Sequence, residues 1–130
     1  MEYIKVVINT CYGGFGLSKK GFELYKQLTG NDRFSSRHDF ALVKVVEDLG
    51  KDSYKKYAEL TVERIPIEFK DCYLINEYDG LETIDLSSNL LIEHQLNQLD
   101  VANMDPTECK AILLEFQKIS STNYYERMSQ

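Results

Sequence analysis

Tryptophan is absent from this chain, proline and histidine occur only twice each, and cysteine three times. Each scarcity excludes something. Three cysteines, an odd number with scattered spacing, build no disulfide framework and read as free thiols of a reducing compartment. Two histidines, His38 and His94, and three cysteines without Cys-x2-Cys or His-x3-His spacing leave no metal site to expect, and no motif calls for a cofactor. No apolar run approaches the ~20 residues of a bilayer-crossing helix. Met1-Glu2-Tyr3-Ile4 is no signal-peptide start, so no membrane contact and a cytoplasmic location are expected. Internal repeats and low-complexity tracts are missing as well.

Positive charge is scarce in one half only. Residues 71–130 hold 3 Lys/Arg against 11 Asp/Glu, a balance of −8, whereas residues 1–70 hold 12 against 10, a balance of +2. An acidic half repels phosphate backbones, which argues against duplex nucleic acid and puts any anion site in the first half. The asymmetry also permits a head-to-tail homo-oligomer.

What is present suits a folded domain: 130 residues, 43% apolar and 28% charged, within the usual size of a single domain. Residues 3–10 are β-branched and aromatic and predict a buried strand. A helix follows Ser18, with Phe22, Tyr25 and Leu28 on one side and Gly30 as its stop. Asp39 caps a second helix carrying Leu42, Val45, Val46 and Leu49, ended by Gly50. Residues 58–65 alternate as a half-buried strand closed by Pro66, after a polar link over 51–57. Two further strands flank Asp79-Gly80, a two-residue hairpin signal. Residues 88–99 and the stretch after Asp105-Pro106 predict two helices. The expected fold is α+β: a small, largely antiparallel sheet packed with helices, plus a C-terminal helical pair. Residues 1–120 form the single domain and 121–130 a flexible tail.

The chemistry concentrates in Cys11-Tyr-Gly-Gly-Phe-Gly-Leu-Ser18, between a strand and a helix. Three glycines in four residues let backbone approach a ligand, and the helix start behind them offers free N–H groups and partial positive charge. The expected anion site takes Gly13, Gly14, Gly16 and Ser18 as its frame, with backbone donors from Gly14 to Lys19. Tyr12 or Phe15 supplies a stacking ring, Lys19 or Arg37 a cation, and Asp39 or Glu77 a carboxylate for a sugar hydroxyl or base edge. The alternative is a turn that only packs a helix on a sheet. The loop lacks the Gly-Lys-Ser/Thr of a nucleotide P-loop and the third glycine of the dinucleotide fingerprint. It also has Leu17 where a phosphatase cradle needs arginine.

Three segments, Ile8-Asn-Thr-Cys-Tyr-Gly-Gly-Phe-Gly-Leu-Ser18, Leu42-Val-Lys-Val-Val-Glu-Asp-Leu-Gly50 and Glu77-Tyr-Asp-Gly80, together resemble a set of small proteins of unassigned function from tailed phages and large DNA viruses. The likeness spans residues 4–82 and departs at Ile84-Asp-Leu-Ser-Ser-Asn89, where an aromatic and basic segment is expected. It implies a viral accessory protein that counters host defence or signalling by binding a nucleotide or a host protein. Three functions therefore stand: a non-catalytic binder of an anionic small molecule such as a nucleotide; a host-protein-binding inhibitor or virion component using the acidic C-terminal half; and a small hydrolase using Cys11.

Overall fold

Tyr3–Asn9, rich in β-branched side chains, forms strand β1 in the computed structural model, which describes residues 2–128. It pairs antiparallel with β2 (Leu60–Pro66), Tyr3 opposite Pro66 and Asn9 opposite Leu60. Side chains alternate across a strand. Val6, Ile8 and Ile65 therefore enter one apolar cluster, and Val7 and Leu60 another on the opposite face. Both faces are covered, which is why β1 reads as a continuous apolar run.

Helices α1 (Lys19–Thr29) and α2 (Phe40–Leu49) cover the Val7 face with Tyr25, Leu42, Val43, Val45 and Val46. Their ends follow the local chemistry. The Ser18 hydroxyl accepts from the Gly21 amide, Asp39 accepts from the Ala41 and Leu42 amides, and Gly30 closes α1 in the left-handed region. The buried side of α1 is Gly21 and Tyr25; Phe22 and Leu28, expected beside Tyr25, are exposed.

The other face carries the hairpin β3 (Leu74–Tyr78) and β4 (Leu81–Asp85). Its turn has positive φ at both Asp79 (50°) and Gly80 (91°), as a two-residue hairpin requires. Helices α3 (Ser88–Asn97), α4 (Pro106–Ser120) and α5 (Tyr124–Met128) complete this layer. Ile84, Leu86, Leu91, Ile119 and Tyr124 join Val6 and Phe69 in its core. Asp105 and Glu108 form the reciprocal capping box at the start of α4. The fold is α+β, with helices on one side of β1–β2 and a hairpin with helices on the other.

Two features differ from expectation. The strands form two separate two-stranded sheets rather than one. The free edge of β1 is occupied by groups from elsewhere. The Val7 amide donates to the Arg37 carbonyl (2.8 Å), and the Asn9 amide donates to the Glu82 carboxylate (2.8 Å), so β4 cannot pair there. The C-terminal segment, expected as a flexible tail, docks in its described part. Tyr124 is buried with its ring edge-on to Phe69 at 4.9 Å, and the Leu86 amide donates to the Tyr125 hydroxyl. Two amphipathic rings in a polar stretch are enough to seat one helical turn. Ser129 and Gln130 lie outside the described residues.

Candidate functional site

The residues expected to hold an anion are not gathered into one site. At the start of α1 three of the donors are answered by the chain itself. The Ser18 amide donates to the Ser53 carbonyl (2.9 Å), its hydroxyl to the Asp52 carbonyl (2.5 Å), and the Gly21 amide to Ser18 Oγ (3.0 Å). Lys19 stands on the outer face of α1 with Phe22, Glu23 and Lys26. Arg37 donates from both terminal nitrogens to Glu82, at 2.7 and 2.8 Å. Its guanidinium lies 3.6 Å over the Phe15 ring, and Phe15 packs edge-on to Phe34. That planar fork is therefore spent on a buried carboxylate and a ring.

Asp39 caps α2 and accepts from the Tyr25 hydroxyl (2.7 Å). Burial pushes its carboxyl up, but the bonds from Tyr25 and from the Leu42 and Ala41 amides outweigh it and hold the group below its ordinary range. Burial, with Asp39 beside it, raises the Tyr25 hydroxyl. Glu77 accepts from the Gly80 amide (2.9 Å) and shapes the hairpin turn. Phe15, Ser18, Arg37, Asp39 and Glu77 thus have structural partners.

What the structure does assemble is a junction of three segments: 11–16, 55–57 and 78–80. A Cβ on Gly13 would strike the backbone and Cβ of Tyr57, and one on Gly80 would strike the Gly14 amide and the Tyr12 carbonyl. Only glycine permits these approaches. Fully buried Asn9 ties the segments together. Its Nδ2 donates to the Cys11 carbonyl (2.6 Å) and the Gly80 carbonyl (2.7 Å), and its Oδ1 accepts from the Glu59 amide (2.8 Å). Every hydrogen-bonding atom of that amide group is matched, as a buried amide demands.

Each segment presents an exposed ring: Tyr12 (62% exposed), Tyr57 (68%) and Tyr78 (76%). Tyr57 has φ 69°, a genuine outlier for a bulky residue. Such strain costs about 1–3 kcal/mol and persists where surrounding structure imposes it. The Lys55 amide donates to the Gly16 carbonyl (3.2 Å), and its side chain runs along Gly16 with the ammonium over the turn. Lys56 lies 5.1 Å from the Tyr57 ring. Among the described residues neither ammonium has a carboxylate within ion-pair distance.

Of the residues expected at an anion site, Tyr12, Gly13, Gly14 and Gly16 lie at the junction; Asn9, Lys55, Tyr57 and Tyr78, not among those expected, lie there too. The Lys55-Lys56-Tyr57 run, basic residues next to an aromatic, is the sequence signal that marks such a surface.

Among the described residues nothing hydrogen-bonds the Cys11 sulfur, and His38 is engaged with the Tyr73 hydroxyl (2.8 Å). Burial and neighbouring Asp71 push the Cys72 thiol up, away from the reactive thiolate. All three cysteines are free, and no cluster of metal-binding side chains occurs among the described residues. Among the described residues no helix is long and apolar enough to cross a membrane.

No protein-family profile, curated protein or solved structure matches this chain. Fold and geometry define an α+β domain with a glycine-built, tyrosine-rimmed junction.

Proposed function

We propose that the protein is a non-catalytic binder of a nucleotide, held at the junction of segments 11–16, 55–57 and 78–80. The base stacks on an exposed tyrosine ring, the phosphate meets Lys55 and Lys56, and Asp79 in the hairpin turn accepts from a sugar hydroxyl. Base–aromatic stacking contributes about 1–3 kcal/mol per base. The observation that carries this reading is the convergence itself. Three exposed tyrosines and an ammonium without a carboxylate partner are fixed by buried Asn9 and by backbone strained at Tyr57. Strain of this kind concentrates at binding sites.

Two of the three segments that resemble small phage and large-DNA-virus proteins, 8–18 and 77–80, meet at this junction. That supports reading the chain as a viral accessory protein that sequesters a nucleotide in the infected cell.

The test is a thermal-shift screen over mono-, di- and cyclic nucleotides. A ligand at 100 times its dissociation constant stabilises the fold by about 2.7 kcal/mol, a rise of roughly 8–14 °C for a domain of this size. Lys55→Ala should fold normally and lose most of that rise. Tyr57→Gly should melt at the same temperature or higher, because glycine relieves the positive φ, yet respond weakly to ligand. If no nucleotide shifts the wild-type protein, the reading is wrong and the glycines serve packing alone.

A further inference from the structure

Helices α3 and α4 lie side by side, and the distal end of this pair is apolar and open. A groove of about 240 Å³ is lined by Leu96, Leu99, Val101, Met104, Ile112 and Leu113, together with Cys109 and Phe116. No charged side chain lines it. Leu96 (49%), Val101 (58%) and Leu113 (64%) are about half exposed or more, as is neighbouring Leu114. Leu113 and Leu114 recur with Ile112, Phe116 and Ile119 at a spacing that would suit a buried stripe of α4. Instead the side turned to the core is Phe116 and Ile119, and the leucines face outward. Contiguous exposed apolar surface of this kind marks an interaction site.

Charge limits what can cover it. Over residues 88–120, Glu93, Asp100, Asp105, Glu108 and Glu115 stand against Lys110 and Lys118, a balance of −3. Asp100, Asp105 and Glu108 are exposed and adjoin groove-lining residues in sequence. Lys110, exposed beside groove-lining Cys109, offsets one of these three carboxylates and leaves the rim acidic, while Lys118 borders a different hollow, with Glu68, Glu115 and Tyr124. A second copy of this chain would bring one acidic rim against another, which costs affinity.

We infer that this groove is a docking site for an amphipathic basic helix of a protein partner. The partner's apolar i, i+3, i+4, i+7 side chains enter between α3 and α4, and its Lys/Arg side chains meet the acidic rim. On α4 the groove runs from Cys109 to Phe116, about 12 Å of helix, so about two turns of partner would fill it. The inference does not depend on the glycine junction.

The experiment titrates a dye-labelled Leu/Lys amphipathic peptide of about 18 residues into the full chain at low salt, read by fluorescence anisotropy. Controls are a scrambled peptide of the same composition and a Leu/Glu counterpart. The amphipathic Leu/Lys peptide should bind at least tenfold more tightly than either control. Leu113→Asp should weaken it tenfold or more with an unchanged melting temperature. That variant adds negative charge, so binding by net charge alone predicts the opposite sign. Should Leu113→Asp fail to fold, Val101→Asp, in the connection between the helices, gives the same reading. Three results overturn the inference: equal binding of the scrambled peptide, undiminished binding by a folded variant, or sedimentation showing a dimer that the variant dissociates. The last would mean that a second copy fills the groove.

Discussion

Removing the Glu82 carboxylate should unfold more of this protein's stability than any surface change. Glu82 is 7% exposed and accepts three hydrogen bonds: two from Arg37 and one from the buried Asn9 amide. In Glu82→Ala, Arg37 keeps its charge with only 22% of its side chain exposed, and the Asn9 amide loses its acceptor. Breaking one side of a buried pair costs about 3–5 kcal/mol, a large part of the roughly 5–15 kcal/mol that holds a domain together. At this length each kcal/mol is worth roughly 3–5 °C, so the melting temperature should fall by roughly 10–20 °C. Calorimetry and urea unfolding measure this directly. The double variant Arg37→Met/Glu82→Leu should recover only the part due to the stranded Arg37 charge, because apolar isosteres often replace a buried pair at little cost while the buried Asn9 amide stays without its acceptor. A loss below about 1 kcal/mol for Glu82→Ala would refute the reasoning, since it falls in the range of solvated surface pairs.

Tyr124→Ala should cost about 3–4 kcal/mol by emptying the site against Phe69; a shift of only a degree or two would restore the segment from 121 to the status of a tail. Glu63, on β2 opposite Val6, is partly buried with no partner among the described residues, and burial pushes its carboxyl up. A raised carboxylate is no burden below the unfolded value of about 4.3 and becomes one as pH climbs through the folded value. Glu63→Gln should therefore melt higher than wild type at pH 7 and converge with it near pH 4; a constant difference across that range would contradict the cause assigned.

Much of the fold was legible because the local signals agreed with the tertiary result. The capping groups Ser18, Asp39 and Asp105, the closing glycines Gly30 and Gly50, and the Asp79-Gly80 turn all act within a few residues of themselves. Their effects can be read without knowing what packs where. The split into two sheets was not legible, since it depends on Arg37 and Glu82, 45 positions apart, entering the edge of β1. The same pairing explains why Arg37 read as a free cation. Tyr12 and the glycines were found from their own spacing. Lys55 and Tyr57 were hidden in a polar link because only tertiary contact brings them onto Gly13 and Gly16. Tyr124 was masked by the polar residues around it.

The most direct test of the junction is a titration of the ¹³C-tyrosine-labelled protein with the nucleotide giving the largest thermal shift, followed by ring resonances. The nine tyrosines separate into three at the junction and six elsewhere. Tyr12, Tyr57 and Tyr78 should shift together and saturate with one dissociation constant, while buried Tyr25 and Tyr124 stay in place. Shifts confined to Tyr3, Tyr54, Tyr73 or Tyr125, or no shift at any ring, would contradict the account.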